Sequence, residues 1–127
     1  MLEFGFEDMT ASPSPFSQLG YEEKESVRRA LLAILNGHFI DDSEFQTRLG
    51  IERTDLAAVA DSYPNIDDKL DSSVETLSIN NCLNELCFGL SMSRDAWSRW
   101  LDVTRKELTV LYAKWSRLRG WTSTGIR

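Results

Sequence analysis

The sequence predicts an all-α fold, two tandem three-helix repeats packed into one six-helix domain, and three observations carry that prediction. The first is an internal correspondence. Ser26–Ala60, moved along by 52 positions so that Gly37 meets Gly89, lies on Ser78–Tyr112 without a gap. Val27 then falls on Ile79, Leu31 on Leu83, Ile34 on Leu86 and Ile40 on Met92. Phe45 falls on Trp97, Leu49 on Leu101, Ile51 on Val103, Leu56 on Leu108 and Val59 on Leu111, and Arg53 meets Arg105. Identities are few, so two histories stay open: an old duplication, or two similar solutions to one packing problem. The second observation is periodicity, because apolar residues recur at helical spacing and no stretch sustains the alternation of a strand. The third is punctuation by capping residues and glycines at the ends of each periodic segment.

Length and composition bound the rest. A chain of 127 residues, 42% hydrophobic, is enough for one domain with a shared core and too little for two independent ones. No apolar run approaches the roughly 18 residues of a membrane span. The acidic start, MLEFGFEDM, does not fit a secretory leader. Cys82 and Cys87, five apart on an expected helix, point about 140° away from each other, which argues against a disulfide. Reduced thiols and no leader imply a cytoplasmic protein.

Residues 1–20 are expected to form a flexible N-terminal arm. Leu2, Phe4 and Phe6 alternate with Glu3, Gly5 and Glu7, and the Thr10–Pro15 stretch cannot sustain a helix. The arm is either a tail or a hook whose Leu2, Phe4, Phe6 and Phe16 insert into a groove. Helix one covers about Tyr21–Asn36, with Val27, Ala30, Leu31, Ile34 and Leu35 on one stripe and Gly37 as a left-handed C-cap. Helix two covers about Asp42–Leu49, capped by Asp41 with Glu44 at capping-box spacing, and Gly50 ends it. Helix three covers about Arg53–Ser62 and stops before Pro64.

The acidic stretch Tyr63–Asp71 is the seam between repeat one (21–63) and repeat two (72–120). Ser72-x-x-Glu75 is a capping box that starts helix four near Ser73; this helix runs to about Phe88 with Ile79, Cys82, Leu83, Leu86 and Cys87 inward. Ser93 caps helix five, about Arg94–Leu101, with Trp97 and Leu101 inward. Thr104-x-x-Glu107 opens helix six, whose Leu108, Leu111, Tyr112 and Trp115 face the core and which stops at Gly120. Residues 121–127 form an unpatterned tail. The long stripes of helices one and four are expected to pack together.

Leu49-Gly-Ile-Glu-Arg-Thr-Asp-Leu56 with Phe45 and Val59 resembles a helix-turn-helix motif, supplying its inward hydrophobes and turn glycine in order. Leu101-Asp-Val-Thr-Arg-Lys-Glu-Leu108 with Leu111 has the same spacing, with Asp102 in place of the glycine. Where the motif has a small alanine before the turn, this chain has Gln46 and Ser98. The resemblance covers about twenty residues per repeat. It implies two tri-helical units and, where the motif binds DNA, a second helix laid in the major groove.

Charge decides which partner the two units suit. Of the net −6, residues 1–93 contribute 6 basic and 17 acidic side chains, and residues 94–127 contribute 8 basic and 3 acidic. The first unit is a poor DNA reader, because Asp55 and Asp61 would face phosphates. The second offers Arg105, Lys106, Lys114, Arg117 and Arg119, with Arg99 from the preceding helix. The expected function is a non-catalytic interaction protein, an adaptor or a neutraliser of a basic protein, using Glu22, Glu23, Asp41, Asp42, Glu44 and Asp55. Trp100 and Trp121, with Met92 and ringed by Arg94, Arg99 and Arg119, are a second candidate contact. The alternative is a DNA-binding transcriptional regulator using repeat two, acting as a dimer. The basic third could also dock on the acidic half of its own chain, or of a second copy in a homodimer.

Catalysis has little support in the sequence. The one histidine, His38, follows a helix-ending glycine and is better suited to face the helix C-terminal carbonyls. Asp67-x-Lys-x-Asp71 lacks the central glycine of a calcium loop and has Ser78 in place of the twelfth-position glutamate. There is no Cys/His set for zinc and no glycine-rich phosphate loop. No cofactor, metal or catalytic residue is expected.

Overall fold

A computed structural model describes residues 13–121. Six helices, α1 (Tyr21–Asn36), α2 (Asp42–Leu49), α3 (Arg53–Ser62), α4 (Val74–Asn84), α5 (Arg94–Trp100) and α6 (Arg105–Leu118), make the fold, and no strand occurs among the described residues. A 3-10 turn over Phe16–Gln18 precedes α1, and a π-helical turn over Glu85–Gly89 prolongs α4.

The α1 and α4 stripes meet as their spacing requires, and this is the most extensive helix contact in the molecule. Val27, Leu31 and Ile34 from α1 and Ile79, Leu83 and Leu86 from the α4 segment are at most 1% exposed. Leu49, Leu56, Leu108 and Trp115 close the core around them. Fully burying each aliphatic side chain contributes about 1.5–3 kcal/mol, so this one layer outweighs any surface interaction in the chain.

Part of the expected arm belongs to this core. Phe16 and Leu19 are each 4% exposed, and the Phe16 ring meets Tyr63 edge-on at 5.5 Å between centroids. Phe16 therefore inserts as the hook reading of the arm required, whereas Leu2, Phe4 and Phe6 lie outside the described residues.

Several helix ends differ from expectation for local reasons. Asp41 is the N-cap of α2 but its side chain caps no amide. The cap of α4 is Ser73 rather than Ser72: its hydroxyl accepts from the Thr76 N–H at 3.1 Å, and α4 begins one residue later. Gly37 is right-handed at φ −83°, and the left-handed residue is His38 at φ 58°. Space requires the glycine there, since a Cβ would lie 2.5 Å from the Ala33 carbonyl oxygen and 2.2 Å from the Phe39 ring. Gly50 is left-handed as expected, at φ 71°. The Thr104–Glu107 capping box forms, with reciprocal bonds of 3.0 and 2.8 Å.

One pair of positions separated by 52 residues makes a similar contact twice. Arg53 lies over the Phe45 ring at 4.4 Å, and Arg105 lies over the Trp97 ring at 4.9 Å. Across the halves, Asn81 of α4 donates to the Leu49 carbonyl in the α2–α3 turn at 2.7 Å. Ser26 of α1 donates to Asp102 in the α5–α6 turn at 3.0 Å, and Arg29 approaches the same carboxylate at 3.8 Å.

Candidate functional site

The acidic candidates gather at the start of α2 and around the α2–α3 turn. Asp41 at the N-cap and Asp42 and Glu44 in the first turn of α2 are all exposed, where negative charge also complements the helix dipole. Asp42 remains 89% exposed although Arg53 approaches it at 2.9 Å. Glu44 has only a 3.9 Å approach to Arg48. Asp55 is half-buried and accepts the Glu52 N–H at 3.1 Å, so its carboxylate serves the α3 N-terminus first. Of the two further acids, Glu22 is exposed, while Glu23 is bound to Lys114 at 2.8 Å and accepts the Gly20 N–H at 2.7 Å. Burial of Glu23 acts to raise its pKa, but the Lys114 and Gly20 bonds outweigh it and hold the carboxyl below its ordinary value.

The six basic candidates divide into two groups of three. Arg105 is stacked on Trp97 and donates to the Leu90 carbonyl at 3.4 Å. Lys114 is committed to Glu23. Arg119 is not a surface group: its side chain is 2% exposed, lies over the rings of Trp115 and Trp121, and donates to Asp68 and Asp71 at 3.0 and 2.6 Å. The Asp68 carboxylate is fully buried and also accepts the Phe16 N–H at 2.8 Å. One clasp thus ties the N-terminal turn, the seam and the end of α6. Arg99, Lys106 and Arg117, by contrast, are exposed with no carboxylate partner among the described residues, and Arg94 joins them.

Two of those cations, Lys106 and Arg117, sit on an outward stripe of α6. Lys106, Val110, Ala113 and Arg117 recur at i, i+4, i+7 and i+11, and Val110 is 64% exposed in the middle. The corresponding stripe of α3 is Thr54, Ala58 and Asp61, with short side chains and no cation. Beside the α6 stripe is an open groove of about 840 Å³, lined by Met92, Arg94, Trp97, Arg105 and Glu107 among others.

The tryptophans do not form the single patch the sequence suggests. Trp121 stacks on Arg119 at the end of α6, whereas Met92 and Arg94 line the groove at the start of α5 with Trp97. Trp100 is half-buried against the core. Trp97 is half-buried, unlike the buried Phe45 it corresponds to, and its indole N–H donates to the Val103 carbonyl at 2.7 Å.

Sequence reasoning missed two acids with structural work to do. Asp68 lay in a segment read as a solvated seam, and Glu85 is 8% exposed beneath Arg48, which it binds at 2.5 Å. Their partners lie 51 and 37 residues away in the chain, beyond any local pattern. The Cys82 and Cys87 thiols are free and buried, and burial raises both above the usual thiol range. No protein-family description, curated protein or solved structure matches this chain at a significant level.

Proposed function

We propose that this chain is a non-catalytic interaction protein that presents the exposed carboxylates of α2 and the α2–α3 turn to a cationic surface of another protein. One observation carries the reading. Asp41, Glu44 and Glu22 are exposed with no cation among the described residues closer than 3.9 Å, while three of the six basic side chains that would favour nucleic acid are spent inside the molecule. Uncompensated surface charge of one sign steers a partner of the other sign and raises its on-rate.

The paired contacts support treating the halves as two versions of one three-helix, helix-turn-helix-like unit, each holding its turn with an arginine on an aromatic ring. On that reading the first unit is the protein-binding one. A second reading, DNA binding by repeat two, is favoured by the free Arg94, Arg99, Lys106 and Arg117 on α5 and α6.

Affinity capture from native lysate, analysed for protein and nucleic acid together, separates them. The protein reading expects a protein with a cationic surface that the wild-type chain retains and Asp41→Lys/Asp42→Lys loses. Capture of nucleic acid, lost on Arg99→Glu/Lys106→Glu and falling log-linearly with salt, would replace it with the second.

A further inference from the structure

We infer that the cationic outer face of α5 and α6 receives the acidic face of α2 and α3 from a second copy of this chain. The inference rests on the preceding reading that the acidic face binds protein, and it names the partner.

Charge comes first. Arg94, Arg99, Lys106 and Arg117 are exposed, and no described carboxylate pairs with any of them. Internal pairing has already been satisfied elsewhere: Lys114 holds Glu23, Arg48 holds Glu85, and Arg119 holds Asp68 and Asp71. These four are the cations of α5 and α6 left without a described carboxylate; Lys69, in the seam, is a further one. On α2 and α3, Asp41 and Asp61 are exposed carboxylates with no described cation partner, and Glu44 has only the 3.9 Å approach of Arg48, while α5 keeps one exposed acid of its own, Asp95.

Shape follows the same division. The stripes Thr54–Ala58–Asp61 and Lys106–Val110–Ala113 occupy corresponding positions on α3 and α6. One is low, with Ala58 exposed at its centre; the other is raised by long cationic side chains around the protruding Val110. A protruding apolar residue between cations faces a shallow apolar centre that has Asp61 at one end and the neutral Thr54 at the other. The α6 stripe carries two cations and no acid, whereas the α3 stripe carries one acid and no cation.

The net charge of −6 opposes self-association at long range. Repulsion between exposed charges is screened beyond about 8 Å at physiological salt, so contacts between the opposed faces decide the outcome there. A contact joining two different faces is heterologous, giving either a closed ring or an open chain of copies.

Sedimentation velocity on the full chain, at 5–500 μM and at 150 and 500 mM NaCl, tests this. The expected result is an average mass that rises above 14.5 kDa with concentration at 150 mM salt and falls back at 500 mM. Lys106→Glu/Arg117→Glu and Asp41→Lys/Asp61→Lys, all at exposed positions, should each weaken association at least about tenfold while keeping the wild-type helical circular dichroism. Mixing the two variants should restore association, because their reversed faces again complement each other. A wild-type chain that stays at 14.5 kDa throughout overturns the inference, as does association unaffected by both reversals or a mixture that fails to reassociate. If the wild type stays monomeric but lysate capture still returns a protein with a cationic surface lost on Asp41→Lys/Asp42→Lys, only the second copy is wrong as partner. If that capture fails too, the acidic-face reading falls with it. Cation-dependent binding of duplex DNA without self-association assigns the α5–α6 face to nucleic acid and overturns the inference.

Discussion

Replacing Arg119 with alanine tests how much of the fold hangs on one buried ion pair. The side chains of Arg119 and Asp68 are 2% and 0% exposed, and their nitrogen and oxygen lie 3.0 Å apart. Removing one member of a buried pair leaves the other uncompensated, which costs about 3–5 kcal/mol. The Asp71 arm adds little, because Asp71 is 63% exposed and such pairs contribute about 0–1 kcal/mol. Lost stacking on Trp115 and Trp121 adds to the cost. A loss of about 4 kcal/mol in a domain of this size lowers the melting temperature by roughly 10–20 °C. Thermal and urea unfolding followed by circular dichroism measure it. Asp68→Asn/Arg119→Met, which removes both charges and keeps an acceptor for the Phe16 N–H, should lose less than Arg119→Ala alone. The reasoning fails if Arg119→Ala stays within about 1 kcal/mol of wild type, or if the double variant is merely the sum of its singles.

Other expectations follow from local geometry. Gly50→Ala, at φ 71°, should cost about 1–2 kcal/mol in urea unfolding. Gly37→Ala should cost about 1–3 kcal/mol although its backbone is right-handed, because the new methyl meets the Ala33 carbonyl and Phe39. Thr104→Ala should cost about 1 kcal/mol through loss of the α6 cap. The Glu23 carboxyl sits below its ordinary 4.5 in the folded chain, so the unfolded chain takes up the proton first. Its contribution is present above pH 4.5 and is lost as pH falls below it; urea midpoints should show a shallower acid loss in Lys114→Met. At the alkaline end, burial raises the Tyr63 phenol above its ordinary 10.0 and its hydroxyl donates to the Lys24 carbonyl. The unfolded chain gives up that proton first, so stability falls as pH rises past 10, and Tyr63→Phe should flatten this limb.

The helices, their order and their buried stripes were legible in the sequence, because burying one face of a helix fixes a period of 3.6 residues that local reading can detect. Val27, Leu31 and Ile34 against Ile79, Leu83 and Leu86 were placed by spacing alone. Gly50 was legible because a tight turn demands positive φ. Gly37 was assigned the wrong reason, since the crowding by Phe39 exists only once the chain has turned back. The fate of the charges was settled by tertiary structure. Arg119 and Arg117 lie two residues apart on a basic segment, yet one is buried between two indoles and two carboxylates and the other faces water. Composition counts both as cations. Which of them is free depends on whether a distant acid reaches it, and a contact spanning about fifty residues leaves no periodic trace in the sequence.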